Sequence, residues 1–393
     1  MKILWISSLA WREHGNYRFD LKEAGAVSGS LFEQEMIEGI ESFGHKVDIL
    51  NAYPYGDNLI HDSFSWSHNS TASDFCISKK KNKYINIINE TCELKQVLRR
   101  RSIDYDCVVV YLIHLPFLLA LKDLKKRCKI KSALIVPDLP DMMDLGIKKH
   151  SLKGVLKKIE FWFLKNAYSY VDKYVLFSKY MRERLPVKPK QSIVIEGINS
   201  ITTFCEYSKR QEPFTVLYAG SLQYNFGIEQ IIDSFSFIKD MSLRLHIYGS
   251  GPLQKYVVDK AKEDNRICYC GFVDHETVVK KEGEASLLIN ARDPLKTYTR
   301  YSFPGKTFEY LMSGTPFLST RLAGVPDEYY NYIIPLDSSM PKDIAESIIK
   351  IKNCNEQTIK QRVENGESFL LKEKNKFVQA EKLLSFLGCD DEQ

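Results

Sequence analysis

Short apolar runs alternate with longer amphipathic stretches along this chain. Ile3–Ser7 is a brief apolar run, and a polar loop with Gly25 and Gly29 follows it. Leu31–Phe43 carries apolar residues at helical spacing and is closed by Gly44, after which Lys46–Leu50 reads as a second strand. Asp106–Ile113 is a continuous β-branched run of the kind buried on both faces of a sheet. Ser132–Val136, Lys173–Phe177 and residues 191–197 add further strands. Buried strands alternating with helices predict a doubly wound parallel sheet. Residues 56–83, rich in Ser, Asn, Asp, His and Lys, read as a long surface excursion.

The pattern turns polar and irregular over residues 198–213, and a second α/β series then begins. Phe214–Tyr218, Leu243–Tyr248, Ile267–Tyr269, Ala285–Asn290 and Pro316–Ser319 read as its strands. Ile228–Ile238 and Pro304–Ser313 read as helices, and residues 342–387 are helical in pattern. A chain of 393 residues is too long for one ordinary core. Two domains are expected, 1–200 and 201–371, with a C-terminal helix at about 372–393 packing back on the first.

Composition narrows the class. Hydrophobic residues make up 44% and charged residues 27%, a globular balance. No stretch approaches 18 consecutive apolar residues, so no transmembrane helix is expected. Residues 1–11 are too short and too soon polar for a signal peptide, which predicts a cytosolic protein. Nine cysteines without framework spacing fit a reducing compartment. Cys268 and Cys270 share one face of a strand and read as buried structural residues. The net charge of +5 is mild, but basic clusters at 79–83, 99–101, 122–131 and 148–165 load the first half and point to an anionic partner there. Nothing points to nucleic acid.

In open α/β sheets ligands sit beyond the carboxyl ends of strands. In the second half those ends carry Gly220-Ser221, Gly249-Ser250-Gly251 and Gly271, where backbone can approach a ligand closely. Residues 290–316 follow. Pro304 suits the first turn of a helix and Gly314 the position past its end. Free N–H groups at that helix start, with Lys306 in the first turn and Arg300 just before it, would hold a diphosphate. Glu309, about one turn on, can accept both hydroxyls of a ribose. A capped surface helix with an ordinary glutamate is the plainer reading.

The order YAGSL, IYGSGPL, CGFV, LLINARDP, YSFPGKTFEYLMSGTPFLST and AGVPDEY resembles the donor domain of family 4 retaining glycosyltransferases. The resemblance is close over about residues 214–336. It is looser over 1–200, where Gly44-His45-Lys46-Val47 and Val175-Leu176-Phe177-Ser178 match recurrent features. It implies an α/β protein of the GT-B fold, two Rossmann-like doubly wound parallel-sheet domains facing a central cleft.

The resemblance assigns roles by position. Glu309 matches the second glutamate of an E-x7-E motif and would hold the ribose. Tyr301 stands where the first glutamate belongs, and the turn Pro304-Gly305-Lys306 resembles a subgroup with Pro-Ser-Lys there, of the bacterial surface-polysaccharide type. Tyr301, Ser302 and Phe303 would meet the sugar through backbone groups. The family's diphosphate Arg and Lys are replaced by Ser221 and Phe226, so Arg292, Arg300 or Lys306 would supply that charge. Phe272 and Val273 match the stretch that meets the base, and Gly29 a glycine loop near the phosphates. His114 and Asp138 lie just past strand ends and are candidate catalytic groups.

Retaining transfer of this kind is expected to need no metal and no other cofactor: leaving-phosphate charge is met by N–H groups and cations. Asp104-Tyr105-Asp106 has the form of a metal-binding D-x-D but precedes its strand and reads as a surface turn. Residues 148–171 combine Lys with Leu, Ile, Phe and Trp at helical spacing, as in a helix lying on an anionic membrane. The expected partners are a nucleotide-sugar donor and a glycan or polyprenyl-diphosphate-linked acceptor at the inner face of the plasma membrane. Two rivals share the fold, a nucleotide-sugar 2-epimerase and a non-catalytic partner subunit.

Overall fold

The apolar runs form two separate, predominantly parallel sheets in a computed structural model that describes residues 1–11, 27–52, 62–78, 80, 83–100, 104–140, 152–202, 207 and 212–388. The chain divides into two units, Met1–Ser200 with Lys376–Gln393, and Ile201–Asn375. The loop containing Gly25 lies outside the described residues.

The first unit holds an eight-stranded sheet. Its strands are β1 (Lys2–Ser7), β2 (Lys46–Asn51), β3 (Phe64–Trp66), β4 (Asp74–Cys76), β5 (Cys107–Tyr111), β6 (Lys131–Val136), β7 (Lys173–Leu176) and β8 (Ser192–Val194). They run in the order β3-β4-β2-β1-β5-β6-β7-β8, and only the β3–β4 pair is antiparallel among the pairings. The helices α1 (Val27–Ser42), α2 (Lys83–Arg100), α3 (Leu115–Lys125) and α4 (Leu152–Tyr168) connect them. All five residues of β5 are buried, as its uninterrupted β-branched run requires. That strand is shorter than the run Asp106–Ile113, because Leu112 adopts a left-handed conformation (φ 64°) and turns the chain toward α3.

Part of the 56–83 excursion is sheet rather than surface loop. β3 and β4 extend the edge beside β2, and Trp66 and His68 are buried there. His68 is clamped between Asp74 (2.7 Å) and Glu41 (3.1 Å); burial lowers its imidazole, but those two acids outweigh that and hold it up to about 9, a buried cation paired on both nitrogens. The polar composition of the surrounding stretch concealed two three-residue strands, Phe64–Trp66 and Asp74–Cys76.

The second unit holds a six-stranded, fully parallel sheet, β11-β10-β9-β12-β13-β14. The strands are β9 (Thr215–Ala219), β10 (Arg244–Tyr248), β11 (Ile267–Gly271), β12 (Leu287–Asn290), β13 (Phe317–Thr320) and β14 (Ile334–Leu336). In sequence terms this is the order 3-2-1-4-5-6 of a dinucleotide-binding half-pair, with its topological switch point between β9 and β12. Five helices serve it: α5 (Ile228–Ser234), α6 (Gln254–Glu263), α7 (His275–Glu284), α8 (Lys306–Leu311) and α9 (Pro341–Lys352), with α10 (Glu356–Glu373) following. β11 is an edge strand, and this leaves Cys268 exposed and Cys270 half-buried, not buried as their pattern suggested.

The last helix, α11 (Lys376–Leu387), belongs to the first unit. Ala380, Leu383, Leu384 and Leu387 enter that unit's core. Its Lys376 ammonium reaches Glu38 of α1 at 2.6 Å.

Candidate functional site

The carboxyl edge of the second sheet is built by backbone segments pressed together. Past β9, Gly220 donates to Tyr248 O (3.1 Å) and Leu222 to Ser250 O (2.9 Å), so the turns 220–222 and 249–251 continue the ladder beyond the strands. Gly249 makes this contact possible: its φ is +132°, and a Cβ there would stand 1.8 Å from Gly220 O. Gly251 sits in the same turn, against Leu222 O. Gly227, which precedes α5, lies equally close to the end of β12, where an added Cβ would be 2.2 Å from Ala291 O. The switch point is therefore lined by main chain and by the few side chains that project past it.

Helix α8 is fixed to this edge. The Tyr310 hydroxyl donates to Ala219 O (3.1 Å) and accepts from Ala219 N (2.9 Å). The helix is shorter than Pro304–Ser313: it runs Lys306–Leu311, with Gly305 as its N-cap, Pro304 buried just outside and Gly314 turning at φ 74°. Six residues carry only a small axial dipole, so charge at its start comes from side chains.

Those side chains form a network. Lys306 Nζ lies 3.0 Å from Glu282 Oε1 and 2.8 Å from Glu309 Oε1, and His275 Nε2 lies 3.0 Å from the same Glu309 oxygen. Glu282 is fully buried and its Oε2 has no hydrogen-bond partner among the described residues. Burial pushes its carboxyl up to about 7, with Lys306 opposing. Glu309 is held below the usual carboxylate range: burial raises it, but His275 and Lys306 together outweigh that. The two acids raise Lys306 against the opposing effect of its burial, and Glu309 raises His275. Both cations hold Oε1, so Glu309 is oriented with Oε2 left to other partners.

The sequence pattern singles out Glu309 and Lys306; the structure joins Glu282 and His275 to them, which that pattern does not single out. Glu282 reads as a solvated residue among Lys280, Lys281 and Glu284. The overlooked signal is Gly283, in the last turn of α7, where an added Cβ would lie 3.3 Å from Ser313 O. A glycine inside a helix marks a close neighbour.

Arg292 follows β12 at the switch point, with its guanidinium 4.1 Å from the centre of the Phe226 ring. Arg300 ends the short 3-10 turn Thr297–Arg300. Tyr301 is buried after it, and Ser302 Oγ donates to Tyr298 O (3.2 Å). The Phe303 ring is packed in the core, 5.4 Å from Phe308 and 5.3 Å from Tyr329 between ring centres. Ser221 is exposed, and its carbonyl accepts from Tyr218 (3.0 Å). Phe272 is 78% exposed beside half-buried Val273, at the end of β11 and close in sequence to His275.

In the first unit, Gly29 of α1 faces Tyr111 at the end of β5; a Cβ there would be 3.1 Å from the Tyr111 hydroxyl. Glu33 lies on the same helix, buried, and accepts from Trp5 Nε1 (2.6 Å); burial raises its carboxyl to about 8. His114 Nε2 is 2.8 Å from Glu90 Oε2, both groups buried, while Asp138 is exposed after β6. Asp104-Tyr105-Asp106 sits at the opposite, amino end of β5, where Asp106 accepts from Lys2 N (2.7 Å) and Tyr105 donates to Asp48 (2.8 Å). Among the described residues no group of three or more His, Cys, Asp or Glu side chains is placed to hold a metal ion.

Residues 213–353 match the family model described as Glycosyl transferases group 1. The second unit is thus similar in sequence to glycosyltransferases across the whole edge described above. No curated protein sequence matches the chain. Solved structures match along its full length. Sucrose-phosphate synthase from Thermosynechococcus elongatus aligns at TM-score 0.72 with 15% identity, covering 100% of each chain. An E. coli structure described as trehalose-6-phosphate bound with UDP-2-fluoro glucose aligns at 0.68 with 9% identity, covering 98% of this chain and 99% of the other. An S. aureus TarM variant in complex with fondaparinux, alpha-GlcNAc-glycerol and UDP aligns at 0.64 with 10% identity, covering 99% and 100%. The fold is GT-B. Its two parallel α/β units are the two Rossmann-like domains that the strand alternation predicted.

Proposed function

We propose that the protein is a retaining, metal-independent glycosyltransferase that moves a hexosyl group from a UDP- or GDP-linked sugar to a glycan or polyprenyl-diphosphate-linked acceptor in cell-surface polysaccharide synthesis. The observation that carries this reading is Glu309: a half-buried carboxylate held below the usual carboxylate range at the carboxyl edge of a Rossmann sheet, oriented through Oε1 by His275 and Lys306. Two hydroxyls of a ribose are a natural match for such an acceptor, and it lies inside the segment similar to group 1 glycosyltransferases. The similar structures bound with UDP-2-fluoro glucose and with UDP support a nucleotide-sugar donor.

In this reading the bond between the anomeric carbon and the diphosphate breaks through an oxocarbenium-like state. The acceptor hydroxyl attacks the same face, and its proton passes to the departing phosphate oxygen. The protein binds, orients and neutralises charge, and needs no nucleophile of its own.

The membrane assignment rests on α4. Trp162 is 62% and Phe163 41% exposed, adjacent rings 4.9 Å apart on a helix that also carries Lys165. Apolar rings beside lysines suit the surface of an anionic bilayer, where a lipid-linked acceptor would be met. Among the described residues no helix is long and apolar enough to cross a membrane.

The test is equilibrium binding and turnover across UDP-glucose, UDP-galactose, UDP-N-acetylglucosamine and GDP-mannose, for wild type and Glu309→Ala. One donor should bind, and the variant should weaken it by about tenfold or more, the loss of a charge-assisted hydrogen bond. Lys306 keeps Glu282 as a partner in this variant, so the fold is retained. Failure of every nucleotide sugar and nucleoside diphosphate to bind at millimolar concentration would sink the reading and favour a non-catalytic partner subunit.

A further inference from the structure

Any diphosphate at the carboxyl edge of the second sheet needs a cation, and the structure separates the available ones. Lys306 is already engaged: its ammonium faces the Glu282 carboxyl at 3.0 Å and the Glu309 carboxylate at 2.8 Å. Its geometry is that of a residue that positions Glu309. Arg300 belongs to a 3-10 turn and not to the end of a strand.

Arg292 is different in each respect. It follows β12, one of the two strands that flank the switch point, and the end of the other, β9, leads into the loop that carries Phe226. That loop is held against β12 by the Gly227–Ala291 contact. The Arg292 guanidinium lies over the Phe226 ring at 4.1 Å and makes no hydrogen bond or ion pair among the described residues. Tyr218 and Tyr298 feel its charge, but the Tyr218 hydroxyl donates to Ser221 O and the Tyr298 hydroxyl to Asn225 O. Their protons are spent, and the guanidinium donors are the ones left to offer. Stacking fixes the plane of the guanidinium while leaving its edge open, the arrangement that suits two phosphate oxygens at once.

We infer that Arg292, stacked on Phe226, is the residue that binds the diphosphate of the nucleotide, and that Lys306 serves to position the ribose carboxylate. The cation comes from the end of β12, and the apolar residue on the loop after β9 is its platform. This rests on the nucleotide-sugar reading above and adds to it the group that carries the phosphate.

The experiment measures binding of UDP, GDP, UMP and GMP to wild type, Arg292→Ala, Arg292→Lys and the double variant Phe226→Lys with Arg292→Ala, each checked for native circular dichroism. Arg292→Ala is expected to weaken the diphosphate that binds by about 10- to 100-fold, with a smaller loss for the monophosphate. The preference between uracil and guanine should not change. Arg292→Lys should recover part of the affinity, and the double variant should recover it by returning a cation to the loop. Arg292→Ala with wild-type diphosphate affinity overturns the inference and leaves the nucleotide-sugar reading intact. Equal losses for mono- and diphosphates, or a base preference that moves, also overturn it, since Arg292 would then act on something other than the diphosphate. If Arg292→Ala does not fold, Arg292→Gln decides, since it removes the charge and keeps most of the length: wild-type diphosphate affinity in that variant overturns the inference. Wild type binding no nucleotide removes both readings together.

Discussion

Replacing Glu282 by Gln should stabilise the second unit, and increasingly so as pH rises. Glu282 is fully buried, and burial holds its carboxyl at about 7 against an ordinary value of 4.5. The unfolded chain releases this proton near 4.5 while the folded chain keeps it until about 7. Between those values the folded state binds the extra proton, so stability falls as pH rises and levels off above 7. At roughly 1.4 kcal/mol per pH unit the full loss is about 3 kcal/mol, of which about 2 to 3 kcal/mol falls between pH 5 and 8. Lys306 is raised and Glu309 lowered from their ordinary values, so neither titrates in that window; His275 is raised chiefly by Glu309, with Glu282 the least of its causes. Glutamine keeps the shape and an oxygen for Lys306 but has no proton to lose. Urea unfolding of both proteins at pH 5, 6.5 and 8 measures the effect. Far-UV circular dichroism follows both units. Tryptophan fluorescence follows the first unit alone, because Trp5, Trp11, Trp66 and Trp162 all belong to it. The gap between the second-unit midpoints should widen by roughly 1 M urea from pH 5 to 8, for a slope of about 2 to 3 kcal/mol per molar. Midpoints that stay parallel would refute the reasoning, since they would show Lys306 compensating the buried charge in full.

Two further changes probe the neighbouring geometry and the outer surface. Gly249→Ala combines a positive φ with a Cβ 1.8 Å from Gly220 O, so it should cost about 3 kcal/mol or more in urea unfolding of the second unit; a wild-type midpoint would show that the 220 turn can move away. Trp162→Ser with Phe163→Ser should abolish co-sedimentation with phosphatidylglycerol vesicles and leave the thermal midpoint within a few degrees of wild type, because both rings are exposed; undiminished vesicle binding would remove α4 from the membrane reading.

Both sheets were legible in the sequence because parallel strands buried on two faces write unbroken apolar runs, as β5 and β12 do. The edge pair β3–β4 was not. Its strands are only three residues each and sit in a stretch dominated by polar residues, and His68, Asp74 and Glu41 bond one another beside them. The length of α8 was misjudged because Pro304 and Gly314 mark where a helix can begin and end, and the hydrogen bonds close over a shorter stretch. Glycine spacing located the carboxyl edge correctly, since Gly220 and Gly249 must touch for the ladder to continue past the strands.

What one sequence does not display is how charge is shared at that edge. Lys306 lies three residues from Glu309 and near the start of a helix, so spacing alone makes it a phosphate ligand. The decisive fact is Glu282, which comes from α7 and takes part of the same ammonium at 3.0 Å. Arg292 shows the converse: nothing in its local sequence distinguishes it from Arg300, and only the strand order β9–β12 places it beside Phe226. A basic residue's role at such an edge is therefore set by which acids the topology brings to it. An arginine with an aromatic platform and no acid stays available to an anionic ligand, while a lysine between two carboxylates has become part of the scaffold that aims one of them.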